Sequence, residues 1–504
     1  MSTAPADPQI RPSSARARTR ALLVIMALAV FVSVINNTMI NVALPRIRQD
    51  LGVSAAAIGW IITAYALVFA VGTALYGRIT DFVSLRKTFL TALMVFAAGS
   101  LLCALSPNFA VLVSGRVLQA AGAAAIPALA FGSVTRLFPP GERGLAFGIV
   151  TSSVGIGAAA GPIISGIVVN FGGWPVLFYG TLGLLIILFS GALRYLPDTR
   201  PEDRQKGSLR NFDLGGGMLM AIAAASALLG VTGIQQAGPA SLWSWGPLLL
   251  AVVGVIAFAR HIQRTPHPFA PPALFRNRTF VAACGVALFA QAAFLGGGLF
   301  LIPLLVIEQH GLTALQAGLI LAPCALAITL LSPFAGRLSD RIGARPLLLV
   351  CISTVLAALL VLSVQADRSP VVIAAGLLVM GIGFAGIMAP NANAASLALH
   401  RAIAGVGFGI YQLFFFLGAG MGAALVGAFL SFRDDAGAQA LMPMYAGSPT
   451  TAPYADTFLM AAGLATVALL IALFMKPAGG GGTRERTRRE PGDQNTGTSS
   501  PSPE

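Results

Sequence analysis

Charge is scarce in this chain. Only 10% of its 504 residues are Asp, Glu, Lys or Arg and 56% are hydrophobic, whereas an ordinary soluble domain carries about 25% charged residues. A soluble core cannot absorb that excess. A mean hydropathy of +0.81 sustained over the whole length makes the bilayer the expected solvent for most of the chain. Cysteine and histidine are also rare, with four of each. Cys103, Cys284, Cys324 and Cys351 each fall inside an apolar run with no CxxC pair, so they read as small packing residues and imply no disulfide or zinc site. His261, His267, His310 and His400 lie near loops and are assigned no chemistry. All 18 acidic residues fall in tails, loops or at the ends of apolar runs. An integral-membrane enzyme or scaffold is disfavoured, because no buried His, Cys or carboxylate constellation is available for catalysis. No Gly-rich loop ending in Lys-Ser/Thr is present, which argues against ATP as an energy source. No cofactor is implied.

What the chain does have is long apolar stretches. Crossing the hydrocarbon takes about 20 residues of helix, and fourteen runs meet that need: 21–44, 56–76, 88–105, 109–131, 145–169, 174–193, 213–232, 242–259, 280–306, 315–335, 346–364, 370–393, 404–430 and 455–475. The first is too long for a signal-peptide core and is expected to stay attached as a membrane helix. If successive runs alternate in direction, Arg46, Arg48, Arg368 and Arg433 fall on one side and Arg116 inside a run. Every other one of the 32 Lys and Arg residues shares the side of the two termini. The positive-inside rule then predicts cytoplasmic termini. The net charge of +14 reports this topology; dispersed between apolar runs, it forms no nucleic-acid surface. Residues 1–20 and 476–504 read as disordered cytoplasmic tails whose basic clusters sit near anionic lipid headgroups. The stretch 431–456 is the one sizeable outer loop. Lysine is rare among the basic residues while Ala, Gly and Arg abound, a composition that fits a high-GC bacterial genome and hence a multi-pass protein of the bacterial inner (cell) membrane.

An internal repeat is the strongest local signal. Gly77-Arg78-Ile79-Thr80-Asp81, followed by Arg86-Lys87, recurs as Gly336-Arg337-Leu338-Ser339-Asp340, followed by Arg345. Each copy follows the second run of its half, so two corresponding halves are expected. The Gly lets helices approach at the membrane surface, and an Asp among basic residues can face a helix N-terminus as a charge-based latch. The plainer reading is a topology-setting loop with an incidental Asp. In the fifth run Gly157 and Gly161 make a small-xxx-small face and Pro162 bends the helix, which suits packing and gating equally.

At these residues the chain resembles the major facilitator superfamily, whose loop signature has this Gly-xxx-Asp-xxx-basic form. Asn41-Val42-Ala43-Leu44-Pro45 closes the first run as in its 14-helix drug-exporter subfamily. Arg116-xx-Gln119-xx-Gly122 resembles the superfamily's buried-arginine motif, and Gly157-xxx-Gly161-Pro162-xxx-Gly166 is similar to the motif associated with exporters. The nearest likeness is to the Gram-positive type of tetracycline and multidrug exporters. That likeness implies an all-α integral-membrane fold of two six-helix bundles, 21–193 and 280–475, with a cytoplasmic linker at 194–212, an extra helix pair at 213–259 and a cytoplasmic connector at 260–279. It also implies proton antiport through membrane-embedded carboxylates. At the positions where the family carries them, this chain has Asn36, Asn37, Ala158 and Ala419.

Arg116 carries the most weight among candidate site residues. A charge in a membrane helix is costly and should face a partner or a watered cavity; it sits roughly 10 Å from the outer end of its run, counting 1.5 Å per residue. Asn36 and Asn37 lie at similar depth. It reads either as a site for an anionic part of a substrate, as a barrier to protons and cations, or as a packing residue solvated by Asn side chains. Gln119, Asn41, Ser152, Ser153, Gln291, Asn391, Asn393, Tyr411 and Gln412 are further candidates for a mid-membrane cavity, each equally able to make a helix-to-helix hydrogen bond. Phe414, Phe415 and Phe416 can line an apolar pocket or face lipid. Gating is assigned to Asp81, Arg86, Asp340, Arg345, Gly157, Gly161 and Pro162. The expected function is export of a small amphipathic or lipophilic compound by alternating access, driven by an ion gradient. A facilitator, or a carrier of lipid or anionic metabolite without carboxylate coupling, is the alternative. Expected partners are a small-molecule substrate, protons and membrane lipids, around a functional monomer.

Overall fold

The computed structural model describes residues 12–196, 212–238, 241–400, 403–436, 440–441, 445 and 447–475. In hydrocarbon every backbone N–H and C=O must be satisfied within the protein, which leaves helices as the economical answer for runs of this composition. Among the described residues fourteen helices are long and apolar enough to cross a membrane: α1 Thr19–Leu51, α2 Trp60–Ile79, α3 Leu85–Ala104, α4 Phe109–Leu137, α5 Arg143–Gly172, α6 Pro175–Tyr195, α7 Leu214–Gln236, α8 Ser244–Arg264, α9 Arg278–Glu308, α10 Leu315–Ile342, α11 Ala344–Gln365, α12 Pro370–Ala398, α13 Ala404–Asp434 and α14 Ala452–Leu473. All fourteen apolar runs are helical. The disorder expected for residues 1–11 and 476–504, and most of the linker, lies outside the described residues.

Two expectations at the first helix are corrected. Helix begins at Pro12, ahead of the apolar part of α1, so residues 12–20 are not a disordered tail. Proline is at ease in a first helical turn, and the Ala and Arg residues that follow are good helix formers. Nor does Pro45 close the helix, which continues to Leu51. Proline there gives up its own N–H bond and crowds the carbonyl one turn back, but the helix carries on: the Arg46 Nε to Asp50 Oδ1 pair at 3.1 Å bridges the next turn, and the chain turns at Gly52, with φ of 62°.

Helices α1–α6 and α9–α14 form two bundles, and these meet along two seams, α5 against α10 and α2 against α13. Close approach explains the glycines there. A Cβ on Gly144 or Gly336 would fall on the other residue's carbonyl oxygen, and one on Gly77 would lie 2.6 Å from the Gly409 Cα. The pair α7–α8 packs on itself, while α7 also touches both α2 and α13. Leu75 lies beside Gly217, Leu228 beside Gly420 and Gln235 beside Gly427. Among the described residues the extra pair thus packs on the α2/α13 seam. Within α9 the residues Leu295–Phe300, Leu-Gly-Gly-Gly-Leu-Phe, form one π-helical turn.

Candidate functional site

The two copies of the repeated loop do the same job on opposite seams. Asp81, just beyond α2, accepts from Arg136 Nη2 at 2.8 Å and from the backbone N–H of Val406, in the first turn of α13, at 3.3 Å. Arg78 Nη1 stands 3.5 Å from Oδ2, the oxygen that accepts from Val406. Asp340, near the end of α10, accepts from the N–H groups of Gly144 and Leu145 at 2.9 and 3.1 Å, and from Asn393 Nδ2 at 3.2 Å. Each carboxylate thus sits at the helix N-terminus of the opposite bundle, where unpaired N–H groups and the helix dipole favour an anion. Burial pushes the Asp81 carboxyl up to about 6, against the opposing pull of Arg136, Arg78 and the Val406 N–H.

Arg86 and Arg345 do not bridge the seams. Arg86 donates to Leu193 O at the end of α6 at 2.7 Å, and Arg345 to Leu473 O at the end of α14 at 2.8 Å. Both satisfy orphan carbonyls within their own bundle. The copies differ at Arg78 and Arg337. Arg337 is exposed, whereas Arg78 is buried under Phe82, 4.8 Å from the ring centroid, and donates to Pro268 O at 3.2 Å. Pro268 belongs to the connector after α8, which is held by Asp213. That carboxylate accepts from Gly216 N–H, Phe269 N–H and His261 Nε2 at 2.8, 2.9 and 2.8 Å. Burial pushes its pKa up, but those hydrogen bonds outweigh it and hold the carboxyl below its ordinary range.

Gly157 and Gly161 turn inside the first bundle, towards α1. A Cβ on Gly157 would meet Val34 at 3.0 Å, and one on Gly161 would overlap the Thr38 hydroxyl, which itself donates to Gly157 O at 3.1 Å. Pro162 is exposed, and α5 is continuous through it. Ser152, in contrast, crosses the α5/α10 seam to Thr329 O at 2.7 Å; Ser153 bonds back to Ile149 O.

Deep in the first bundle Arg116 is fully buried. Its Nη1 donates to Asn36 Oδ1 at 3.0 Å and to Gln119 Oε1 at 2.6 Å. Gln119 donates onward to Ser100 at 2.8 Å, and Asn36 to Thr181 at 3.2 Å. The Tyr65 ring covers the guanidinium, with 4.0 Å from Cζ to the ring centroid. Nε and Nη2 have no hydrogen-bond partner among the described residues, and none of the ion pairs there includes Arg116. Asn37 and Asn41 are exposed on α1 and stand apart from this network. Tyr65, Ser100 and Thr181 were missed because small hydroxyls and a lone Tyr carry no distinctive spacing.

The second bundle holds a narrow recess lined by Gln291, Asn391, Tyr411, Phe384, Met388 and Phe415 among others. Asn391 Nδ2 donates to Ala283 O at 2.9 Å and to the Tyr411 hydroxyl at 3.2 Å. The carbonyl oxygens of Gln291, Asn391 and Gln412 lack partners among the described residues. Gln412 is buried outside this lining, and Asn393 belongs to the Asp340 latch. Phe416 packs edge-on against Phe69 across the α2/α13 seam, 4.7 Å between centroids. Of the polar candidates, Asn36, Arg116 and Gln119 thus come together in the first bundle and Gln291, Asn391 and Tyr411 in the second, while Asn37, Asn41, Ser152, Ser153, Asn393 and Gln412 join neither group. No group of three or more His, Cys, Asp or Glu among the described residues is placed to hold a metal ion.

The chain and its fold have known counterparts. The riboflavin transporter RibZ of Clostridioides difficile is 29% identical over 373 residues, 73% of this chain and 79% of that one. The tetracenomycin C resistance and export protein of Streptomyces glaucescens is 29% identical over 422 residues, 84% and 78% of the two chains. The solved structure of the proton:xylose symporter XylE, 12% identical, superimposes with a TM-score of 0.66 over 92% of this chain and 97% of its own. It shares the fold alone. The family model described as the Major Facilitator Superfamily matches residues 26–423, and this multi-pass membrane protein belongs to that superfamily of secondary transporters.

Proposed function

We propose that this transporter exports a small amphipathic or lipophilic compound of the drug or antibiotic class by alternating access, drawing on an ion electrochemical gradient. The observation that carries the reading is the pair of carboxylate latches. Each holds the N-terminal turn of a helix in the opposite bundle through a few charge-assisted hydrogen bonds near the ends of the helices. Such contacts are strong enough to hold one arrangement and weak enough to be exchanged. The two polar groups at mid-membrane, one per bundle, give a cargo something to contact from either side. The tetracenomycin relative supports outward movement, and RibZ widens the range of cargoes to consider. Both termini and the latches lie on the cytoplasmic side, and the functional unit is the monomer, since one chain supplies both bundles. A drug-susceptibility panel in an efflux-deficient host tests the reading. Raised resistance to some compounds is expected, and an unchanged panel with the protein present in the membrane overturns it.

The surroundings of Arg116 favour a second reading, a carrier of an anionic metabolite or lipid with no carboxylate-based proton coupling. Reconstituted vesicles separate the two: under an imposed pH gradient, a proton-coupled exporter moves its substrate uphill and such a carrier does not.

A further inference from the structure

The neighbours of Arg116 are arranged in a lopsided way. Both neutral acceptors, Asn36 Oδ1 and Gln119 Oε1, converge on the single nitrogen Nη1. The Tyr65 ring covers one face. What this leaves is the edge formed by Nε and Nη2, buried and without a protein partner among the described residues. These two parallel N–H groups are the side of a guanidinium that receives a carboxylate, sulfonate or phosphate in bidentate fashion. A buried, fully charged side chain with half its donors unpaired is strongly unfavourable, and neutral amides do not cancel the charge.

We propose that the Nε–Nη2 edge of Arg116 binds an anionic group of the substrate, and that efflux of that anion is driven by the inside-negative membrane potential. The inference rests on the exporter reading and narrows its substrate class. An anion leaving a cell moves down the electrical gradient, and each unit of charge supports about a fifty-fold outward concentration ratio per 100 mV. No proton has to be exchanged at a buried carboxylate, which accounts for Asn36 and Asn37 occupying positions where resembling exporters carry acids. The direction of flow follows from the sign of the potential and does not depend on the orientation of the chain.

The test uses purified full-length protein in phosphatidylcholine nanodiscs and three ligands that share a naphthalene ring and carry an anionic, a neutral or a cationic substituent: naphthalene-1-sulfonate, 1-naphthalenemethanol and 1-naphthylmethylammonium. Calorimetry should give tighter binding of the sulfonate by roughly tenfold or more, the scale of a charge-assisted pair. Arg116→Gln should abolish that preference, and Arg116→Lys, which keeps the charge without the fork, should retain part of it. The comparison of three ligands on the wild type stands even if a variant fails to fold. Adding phosphatidylglycerol identifies the source of the anion: suppressed sulfonate binding points to a lipid headgroup, and undiminished binding to a soluble compound. In proteoliposomes loaded with the sulfonate, a valinomycin-imposed inside-negative potential should accelerate efflux without any pH gradient. Equal binding of the three ligands, an undiminished preference in Arg116→Gln, or efflux that follows pH and ignores potential would each overturn the proposal. Export of compounds without anion preference would leave the exporter reading standing and sink this one; anion-selective binding without efflux would sink both.

Discussion

Gly336→Ala isolates what the α5/α10 seam contributes. The added methyl would fall on the carbonyl oxygen of Gly144, with the Leu145 N 3.2 Å away. Both obstacles are backbone atoms of a helix, so no side chain can rotate out of the way. For carbon to meet oxygen at an ordinary van der Waals separation, the helices must part by about 1 Å or more. Overpacking of this kind costs about 1–3 kcal/mol, which is roughly a five- to 150-fold shift of the equilibrium away from the latched arrangement. The unlatched arrangement has no such contact and is spared. Gly318 lies on the same helix with nothing near its would-be Cβ, so Gly318→Ala is the matched control. Spin labels on the exposed residues Glu142 and Arg341, on either side of the seam, would report the separation. Gly336→Ala should lengthen and broaden their distance distribution and slow transport, while Gly318→Ala should do neither. An unchanged distribution in Gly336→Ala would refute the reasoning, because it would mean that the latched packing is not a populated state.

Asp81→Asn should impair transport while leaving membrane insertion intact, and equal activity at equal expression would reduce the loop to a topology signal. Because burial raises the Asp81 carboxyl to about 6 from its usual value near 3.8, the latched form binds a proton more tightly than a form with Asp81 in water. Its proton-linked stabilisation is complete below the lower value and is lost as pH rises through about 6. Acidification from pH 7 to 5 should therefore favour latching in the same spin-label assay, and a shift towards opening would contradict that sign. Asp456 accepts from Arg433 Nε at 2.8 Å and from the Leu441 N–H at 2.7 Å, fully buried. Asp456→Asn should lower stability by about 3–5 kcal/mol by leaving a buried charge unpaired, read as a large drop in thermal midpoint in detergent; an unchanged midpoint would show the pair to be dispensable. Reporter fusions after Lys476 and within 431–456 should place the C-terminus in the cytoplasm and the loop outside, and the opposite pattern would exclude this orientation.

The helices were legible because hydrocarbon imposes a length and a composition on anything that crosses it. The repeated Gly and Asp were legible because two copies in register rarely arise by chance. Rotation about each helix axis was not legible, and the site depends on it. Asn36 and Asn37 are adjacent, about 100° apart around α1, yet one bonds Arg116 and the other is exposed. In a soluble helix the polar face would distinguish them. Here core and lipid are both apolar, and the pattern carries no such contrast. Arg86 and Arg345 show a second blind spot. Their position in the repeat suggested the gate, but their partners are carbonyls at the ends of α6 and α14, more than a hundred residues away in the chain. Pro45 erred in the other direction: a local breaker was overridden by the turns that follow it.

The flanking of a single seam by α7 makes this molecule lopsided in a way its internal repeat conceals. A helix that touches both α2 and α13 acts like the spine of a book, and its connector reaches into the Asp81 cluster through Arg78 and Pro268. Any swing of one cover against the other must bend or slide that spine, whereas the α5/α10 edge, held by the Asp340 latch and the close approach of Gly144 and Gly336, is free of it. For a cargo that dissolves in fatty tails, the free edge is a doorway and the bound edge a wall. The proposed export of such a cargo would then run between the central groups and the bilayer on the side away from the extra pair.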